Sequence, residues 1–546
     1  MHNNKITTTI IPIITTLTIG CIGFVTRIVW TLQNHNNFLL EQANYAFVLS
    51  DIASGKLIPY GPPSSVGLHS IPSGYYYLMY LFSFWTTDPT YQILSNSVLS
   101  LLTIPLFGYL VWRALGRQWL GLLAGFLWAI FGCDIFFAGF VWNPNSVNFW
   151  WMAMVVLFDL VIFKNLHKYY QKLIWTSVGV CIGILISLHS STLFIIPIIF
   201  GLNFGYYIYQ LYAQQEVKQP VKILIFAKQN VAKLFGNFSL VVVGLVLSCL
   251  PYFVAESQVG FGNFVKIIQT LKNQAGATHS LLEKINHIFD PINSLAYKVY
   301  FPSQNSSIAF MVLLVLTIVF GTYFYCGKKF YLYNYLVITI LFLLASNGYW
   351  GSFHMHYLVL VWSVPLFFGL SLLHSQFGQS TNSNQAGQIS QNLIQKIICV
   401  SLILCFFGLF TFKNLKTMSI IYHTKYDTNR SVSVDDLRLA LSKISDSQNS
   451  SISTSVITIC SQDYYQSLNY INFTETPKNP PKNLKFTKEC NKDNSIADYK
   501  FVQKYSANDY WTPIPQDIYP NGQTNGQIYF QTDQFVIFRL KTINSY

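Results

Sequence analysis

Between its first and second apolar runs the chain carries a stretch whose residue types suit proton-transfer chemistry at a membrane surface. It opens with Glu41-Gln42-Ala43-Asn44-Tyr45 and continues as Ser50-Asp51-Ile52-Ala53-Ser54-Gly55-Lys56. Gly61-Pro62-Pro63-Ser64-Ser65 follows, and then Pro72-Ser73-Gly74-Tyr75-Tyr76-Tyr77-Leu78. A carboxylate held between an apolar span and an aromatic segment is costly, which makes Glu41 and Asp51 candidates for function. Each also has a plainer reading. Glu41 suits the start of a helix as a capping or solvated group, and Asp51 suits a turn near Gly55.

The elements that must position these residues follow from composition. The chain has 546 residues, 52% hydrophobic and 17% aromatic, and only 10% are charged. That is the composition of a polytopic membrane protein. The net charge of +13 does not point to nucleic acid, because the lysines are scattered among short loops. Apolar runs predict eleven spans, starting near residues 8, 91, 118, 147, 172, 192, 237, 307, 330, 356 and 394. The first, 8–32, is long enough to cross a bilayer and lacks a small-residue cleavage site. With the N-terminus in the cytoplasm, the basic stretches 113–117, 164–172, 218–233 and 328–329 all lie inside, as the positive-inside rule asks.

The same choice places residues 41–85, and the whole first loop 33–90, outside. Residues 72–85 are too few to span, so they are expected as an aromatic amphipathic helix in the outer interface. Other outer segments are 140–146, 255–306 and 347–356. The fold expected is therefore an all-α membrane bundle over 1–412, followed by a small extracytoplasmic α/β domain over 413–546. Twelve of the 21 acidic residues fall in that second part. There, 455–460 reads as a buried strand, 434–444 as a helix and 527–540 as a hairpin. Its Cys460 and Cys490 are expected to pair in an oxidising compartment. Residues 375–391, rich in Gln, Ser and Asn, read as an inner loop.

These segments, taken in order, resemble a known family. The span ending in Arg27, the acidic opening of the first loop, the Ser-Asp-Ile-x-x-Gly-Lys and Gly-Pro-Pro-Ser-Ser stretches and the Tyr-rich helix come first. Trp142-Asn143-Pro144-Asn145 and Leu188-His189-Ser190-Ser191-Thr192 follow. The set resembles the GT-C membrane glycosyltransferases, in the bacterial branch related to protein O-mannosyltransferases and lipid A aminoarabinose transferases. The resemblance covers roughly residues 8–370.

The resemblance implies transfer of one sugar, with inversion, from a polyprenyl-phosphate donor to an acceptor at the outer face of a plasma membrane. The acceptor itself (glycan, lipid or protein) is left open. No cofactor is implied. Glu41 matches the position of the family's catalytic acid, although Asp is usual there and Glu carries one methylene more. Asp51 is the second candidate carboxylate. A second acid–base pair that several members carry before the Tyr-rich helix is replaced here by His69-Ser70. His69, Tyr75, Tyr76, His354 and His356 are candidates for holding donor phosphate or sugar. Arg27 joins them, either meeting a lipid phosphate or snorkelling. No metal is expected, since the His354/His356 pair has no acidic cluster near it in sequence. Asp134 is a second-choice acidic partner, and His189 is expected to bond backbone at a helix end. Two other readings share the composition: a lipid-linked sugar transporter or flippase, and an inactive GT-C relative that binds lipid-linked sugar.

Overall fold

The computed structural model describes residues 3–33, 40–63, 70–86, 88–164, 166–214, 221–275, 281–301, 307–346, 355–378, 389–424 and 437–442. It also describes the backbone of five strands beyond them. Among the described residues nine helices are long and apolar enough to cross a membrane: Pro12–Leu32, Pro89–Leu115, Asn143–Phe163, Lys168–Leu188, Thr192–Ala213, Gln229–Ser248, Lys329–Ser346, Tyr357–Phe377 and Gln395–Ser419. A bent pair, Gln118–Ala129 and Gly132–Ala138, with a 55° break, makes a tenth when its two halves are counted as one span. The sixteen-residue apolar helix Ile308–Tyr323 stands where the eighth span was expected. The chain is thus a multi-pass integral membrane protein, with crossings in the expected order.

Helices satisfy their own backbone groups, which is what hydrocarbon demands. Their association relies on close approach of small residues. Lys168–Leu188 and Val221–Ser248 touch backbone to backbone at Gly179 and Gly244. A Cβ on Gly179 would fall on the Val241 carbonyl, and one on Gly244 on that of Thr176. Four tryptophans, Trp128, Trp151, Trp175 and Trp362, are fully buried between the spans.

The first loop supplies the helix Leu40–Ala53, an antiparallel pair of short strands, Tyr60–Pro63 and Ser70–Pro72, and the helix Gly74–Leu81. This last helix is shorter and more buried than the sequence suggested. Tyr75, Tyr76, Leu78 and Met79 are buried in the bundle, and only Leu81, Phe84 and Trp85 remain exposed. Gly74 sits so close to the span Lys168–Leu188 that a Cβ there would lie 2.7 Å from Ser187 Oγ. Segment 255–306, read as a loop, instead carries helices Gly262–Ala275 and Leu281–Ser294.

Five strands follow the last span in the spatial order Leu484–Thr487, Ile457–Cys460, Tyr499–Gln503, Phe535–Leu540, Gly526–Gln531. The first three pair in parallel and the last two join antiparallel. The expected strand and hairpin are both present. The helix Ile389–Thr424 runs unbroken past residue 412, so the change of character comes after it. Cys490 lies outside the described residues, as do 379–388 of the expected inner loop.

Candidate active site

Counting crossings from the first loop, with the bent pair as one, puts residues 139–142, 189–191, 249–275 and 281–301 at the same end of the bundle. Hydrogen bonds between these segments agree with the count. Asn143 Nδ2 donates to the Leu188 carbonyl. Tyr60 Oη donates to Glu256 Oε1 at 2.9 Å, and Ser70 N to Asn263 Oδ1 at 3.0 Å. Beyond the last span, Arg438 pairs with Asp88 at 3.0 Å. Burial alone would raise the Asp88 carboxyl, but the Thr90 N–H and Arg438 outweigh it and hold it below its ordinary value.

One to two turns inside this face, the third crossing breaks at Ile130-Phe131. A break orphans carbonyls on one side and N–H groups on the other. Arg27 caps two carbonyls at the break: Nη1 donates to Ala129 O at 2.9 Å, and Nη2 donates at 2.7 Å to Trp128 O, which also accepts the Phe131 N–H at 3.1 Å. Asp134, in the first turn after the break, accepts from Arg27 Nη2 at 2.8 Å and from Trp128 Nε1 at 3.1 Å. Ser100 Oγ bonds the same carboxylate, and Arg27 Nε donates to Ser100 at 2.7 Å. Asn414 Oδ1, from the last span, accepts the N–H of Gly132 at 2.6 Å. Arg27 is wholly buried, and its remaining N–H meets Thr26 Oγ1 at 3.1 Å. Every guanidinium N–H therefore has a protein acceptor. Arg27 neither snorkels nor offers a donor to a lipid phosphate in this arrangement. It holds the break.

Above the break, three carboxamides grip one turn. Gln42 Nε2 donates to Val141 O at 2.9 Å, Asn96 Nδ2 to Phe140 O and Trp142 O at 3.0 and 3.1 Å, and Asn145 Nδ2 to Phe140 O at 2.6 Å. All three side chains are buried, and the oxygens Gln42 Oε1, Asn96 Oδ1 and Asn145 Oδ1 meet no donor among the described residues. The helix Leu40–Ala53 is thus fastened at its N-terminal end by the residue after Glu41. The backbone of Glu41 lies in that first turn; its side chain is outside the described residues.

The other candidates divide. Tyr75 and Tyr76 lie edge-on to Tyr45 of the same helix at 5.8 and 5.5 Å, and Tyr75 Oη meets Asn96. Asp51 is ten residues from Glu41 along one helix, about 15 Å of backbone at 1.5 Å per residue, so the two positions stand at opposite ends of that helix. Its carboxylate is exposed and pairs with Lys56 at 2.6 Å, at the far end of the helix. His69 and His354 lie outside the described residues, and His356 is described only as backbone of the 3₁₀ helix Met355–Val361. The adjacent Tyr357 lies edge-on to His189 at 5.7 Å. His189 Nδ1 accepts the Ser191 N–H at 3.2 Å, the expected helix-end role, and burial pushes its pKa down to about 4.

Sequence reading missed the carboxamides Gln42, Asn96 and Asn145 as a set, and it missed Glu256. Glu256 is buried, and it bonds Tyr60 Oη and the Asn263 N–H. Burial and Glu256 both raise the Tyr60 phenol. A carboxylate just past a span was the available signal, the one that had marked Glu41. Near the same face a wholly apolar cavity of about 170 Å³ opens among Leu295, Leu314, Ile318, Phe342 and Val361. Among the described residues no group of three or more acidic, His or Cys side chains is placed to hold a metal.

No family model and no curated protein matches the sequence. Solved structures do show similarity. The archaeal oligosaccharyltransferase AglB from Archaeoglobus fulgidus, in complex with an inhibitory peptide and a dolichol-phosphate, is 13% identical with a TM-score of 0.41. That alignment covers 84% of this chain, which spans 63% of AglB, less than two thirds of its length. ArnT from Cupriavidus metallidurans bound to undecaprenyl phosphate is 11% identical with a TM-score of 0.47, covering 96% of this chain and 97% of that one. Its apo form gives 10% and 0.49, with 99% of each chain covered. At this level the likeness is one of general architecture and says nothing of activity.

Proposed function

We propose that this chain is an inverting glycosyltransferase of the GT-C type. It moves a sugar from a polyprenyl-phosphate donor to an acceptor hydroxyl at the outer face of the membrane, with Glu41 as the base. The observation that carries the reading is the clamp on the first loop. Gln42 fastens the helix of Glu41 to the 140–142 turn, amid the loops of one membrane face. Catalytic groups need such placement, because a misplacement of about 1 Å can cost on the order of a hundredfold.

In the reaction the acceptor O–H gives its proton to the Glu41 carboxylate as its oxygen bonds the anomeric carbon. The bond from that carbon to phosphate oxygen breaks, and the lipid phosphate leaves with the electron pair. A phosphate monoester is acidic enough to depart without a general acid. It needs hydrogen-bond donors instead, and His69 and the His354/His356 turn are proposed for that role. Tyr75 and Tyr76 shape the wall behind the helix, and the apolar cavity beside Leu314 suits part of an isoprenoid chain. Arg27 acts here by supporting the third crossing. Asp51, at the far end of its helix, is assigned no step.

The test is transfer by the full-length protein in vesicles supplied with extracted polyprenyl-phosphate sugars. Glu41→Gln keeps size and removes the proton acceptor, so turnover should fall at least about a hundredfold, the low end for base catalysis. Asp51→Asn should lose far less. Near-normal activity of Glu41→Gln with abolition by Asp51→Asn would move the base to Asp51. A wild-type protein that transfers no sugar from any such donor would favour an inactive relative that binds lipid-linked sugar.

A further inference from the structure

After the span Gln229–Ser248 the chain does not turn away from the bundle. Helix Leu250–Gln258 and helix Gly262–Ala275 follow, joined by a tight corner. On the second helix two faces separate. Asn263 and Ile267, one turn apart, face the protein: Asn263 Nδ2 donates to Ser70 O at 2.6 Å and to Tyr252 Oη at 2.7 Å, and Ile267 is buried. Phe264, Val265 and Ile268 fall on the opposite side, 55%, 47% and 40% exposed. Val259 and Phe261 in the corner extend that stripe, and Leu250, Phe253 and Val254 carry it back to Val243, Val246 and Leu247 of the span. The exposed apolar surface of this helix is therefore continuous with the surface the span presents to lipid.

The corner adds a second observation. Gly260 has φ +64°, and Phe261 has φ +57°, a conformation that side-chain-bearing residues seldom adopt. It is held by the Phe261 N–H donating to Glu256 O at 2.8 Å. An aromatic residue in a strained conformation, half exposed to water, gains nothing there. With its ring in an apolar medium it does.

We propose that residues 250–268 form a strap lying in the membrane interface at the first-loop face. Its apolar stripe is seated in bilayer lipid at the headgroup–acyl boundary, and Glu256 and Asn263 clasp it to the first loop. The physics is that of an amphipathic helix parallel to the bilayer, which seats an apolar stripe at this depth and keeps its polar side in water. The clasp is explicit. Glu256 takes the Tyr60 hydroxyl at 2.9 Å and the Asn263 N–H at 3.0 Å, and Asn263 holds both polar groups of the Ser70 backbone. Tyr60 and Ser70 belong to the two strands between the helix of Glu41 and the helix of Tyr75. Lipid at the strap thereby steadies the loop that carries the proposed site. The inference stands whether or not the chain transfers sugar.

Single cysteines placed at 264, 265, 266, 268 and 269 in the full-length protein test the seating, with a membrane-impermeant maleimide and the wild-type protein as background. In proteoliposomes, positions 266 and 269 should label at least tenfold faster than 264, 265 and 268, and a fluorophore attached at 264 should be quenched by lipids brominated along the acyl chain. Equal labelling in liposomes would put the stripe in water and overturn the seating. Slow labelling of 264, 265 and 268 without quenching by the brominated lipids would place protein over the stripe and overturn it equally. The clasp is read separately, by deuterium exchange over 262–268. Tyr60→Phe together with Asn263→Ala should speed exchange at least tenfold. Unchanged exchange in that variant would show that the clasp does not hold the strap.

Discussion

Arg27 shows how far a single residue's role depends on its partners. In hydrocarbon a lone guanidinium is costly, but here it has Asp134, Ser100, Thr26 and the Trp128 and Ala129 carbonyls. Removing one member of such a pair leaves the other charge buried and alone, at a cost of about 3–5 kcal/mol. Arg27→Met and Asp134→Asn should each lower stability by that amount, and Arg27→Met with Asp134→Leu should recover most of it. Denaturant or thermal unfolding in one lipid mixture would measure this. Full stability of Arg27→Met with loss of donor binding would return Arg27 to the phosphate-binding role first read for it. Both residues were legible as unusual charges in apolar surroundings. Their pairing was not, because they are 107 positions apart and meet only through a helix break. Gln42 was equally silent, since a glutamine after a glutamate says nothing until Val141 lies beside it.

At the scale of elements, apolar length was the readable signal. It gave the crossings in order, because hydrocarbon allows almost no other backbone solution. The bend at Ile130-Phe131 was hidden because its two halves together look like one apolar run. Helices Gly262–Ala275 and Leu281–Ser294 were hidden because they are too short and too mixed to resemble spans. The Tyr-rich helix was read as interfacial because its rings look amphipathic; contact with Tyr45 and close approach to Ser187 bury it instead. Packing between spans follows a rule the sequence does not print, namely which glycines meet. Gly179→Leu or Gly244→Leu should drive Lys168–Leu188 and Val221–Ser248 apart and cost at least about 1–3 kcal/mol, the usual range for overpacking. Gly236→Leu on the same helix, where a Cβ meets nothing within 4 Å, should be nearly neutral. Equal losses at all three positions, measured as thermal midpoints, would show that close approach is not the cause.

At the scale of the whole molecule, the parity of the crossings was legible, and the meeting of the loops was not. Nothing in the sequence joins Tyr60 to Glu256, or Asp88 to Arg438, across 196 and 350 positions. Distance along the chain also sets a schedule. Gly132 gives its N–H to Asn414, which is made 282 residues later. At about 5–20 residues per second, the third crossing exists for roughly 14–56 s before its acceptor has been synthesised. Until then the break carries an unmet donor, and the nascent bundle lacks the helix that closes it. The span 395–419 is therefore a keystone, and the break is satisfied only once that span has been made. A chain stopped after residue 388 should be cleared several-fold faster than the full-length protein in a pulse-chase, and full-length Asn414→Leu should fall between them. A truncated chain as long-lived as the complete one would mean that the break finds its partner earlier, and that the order of synthesis leaves no mark on the fold.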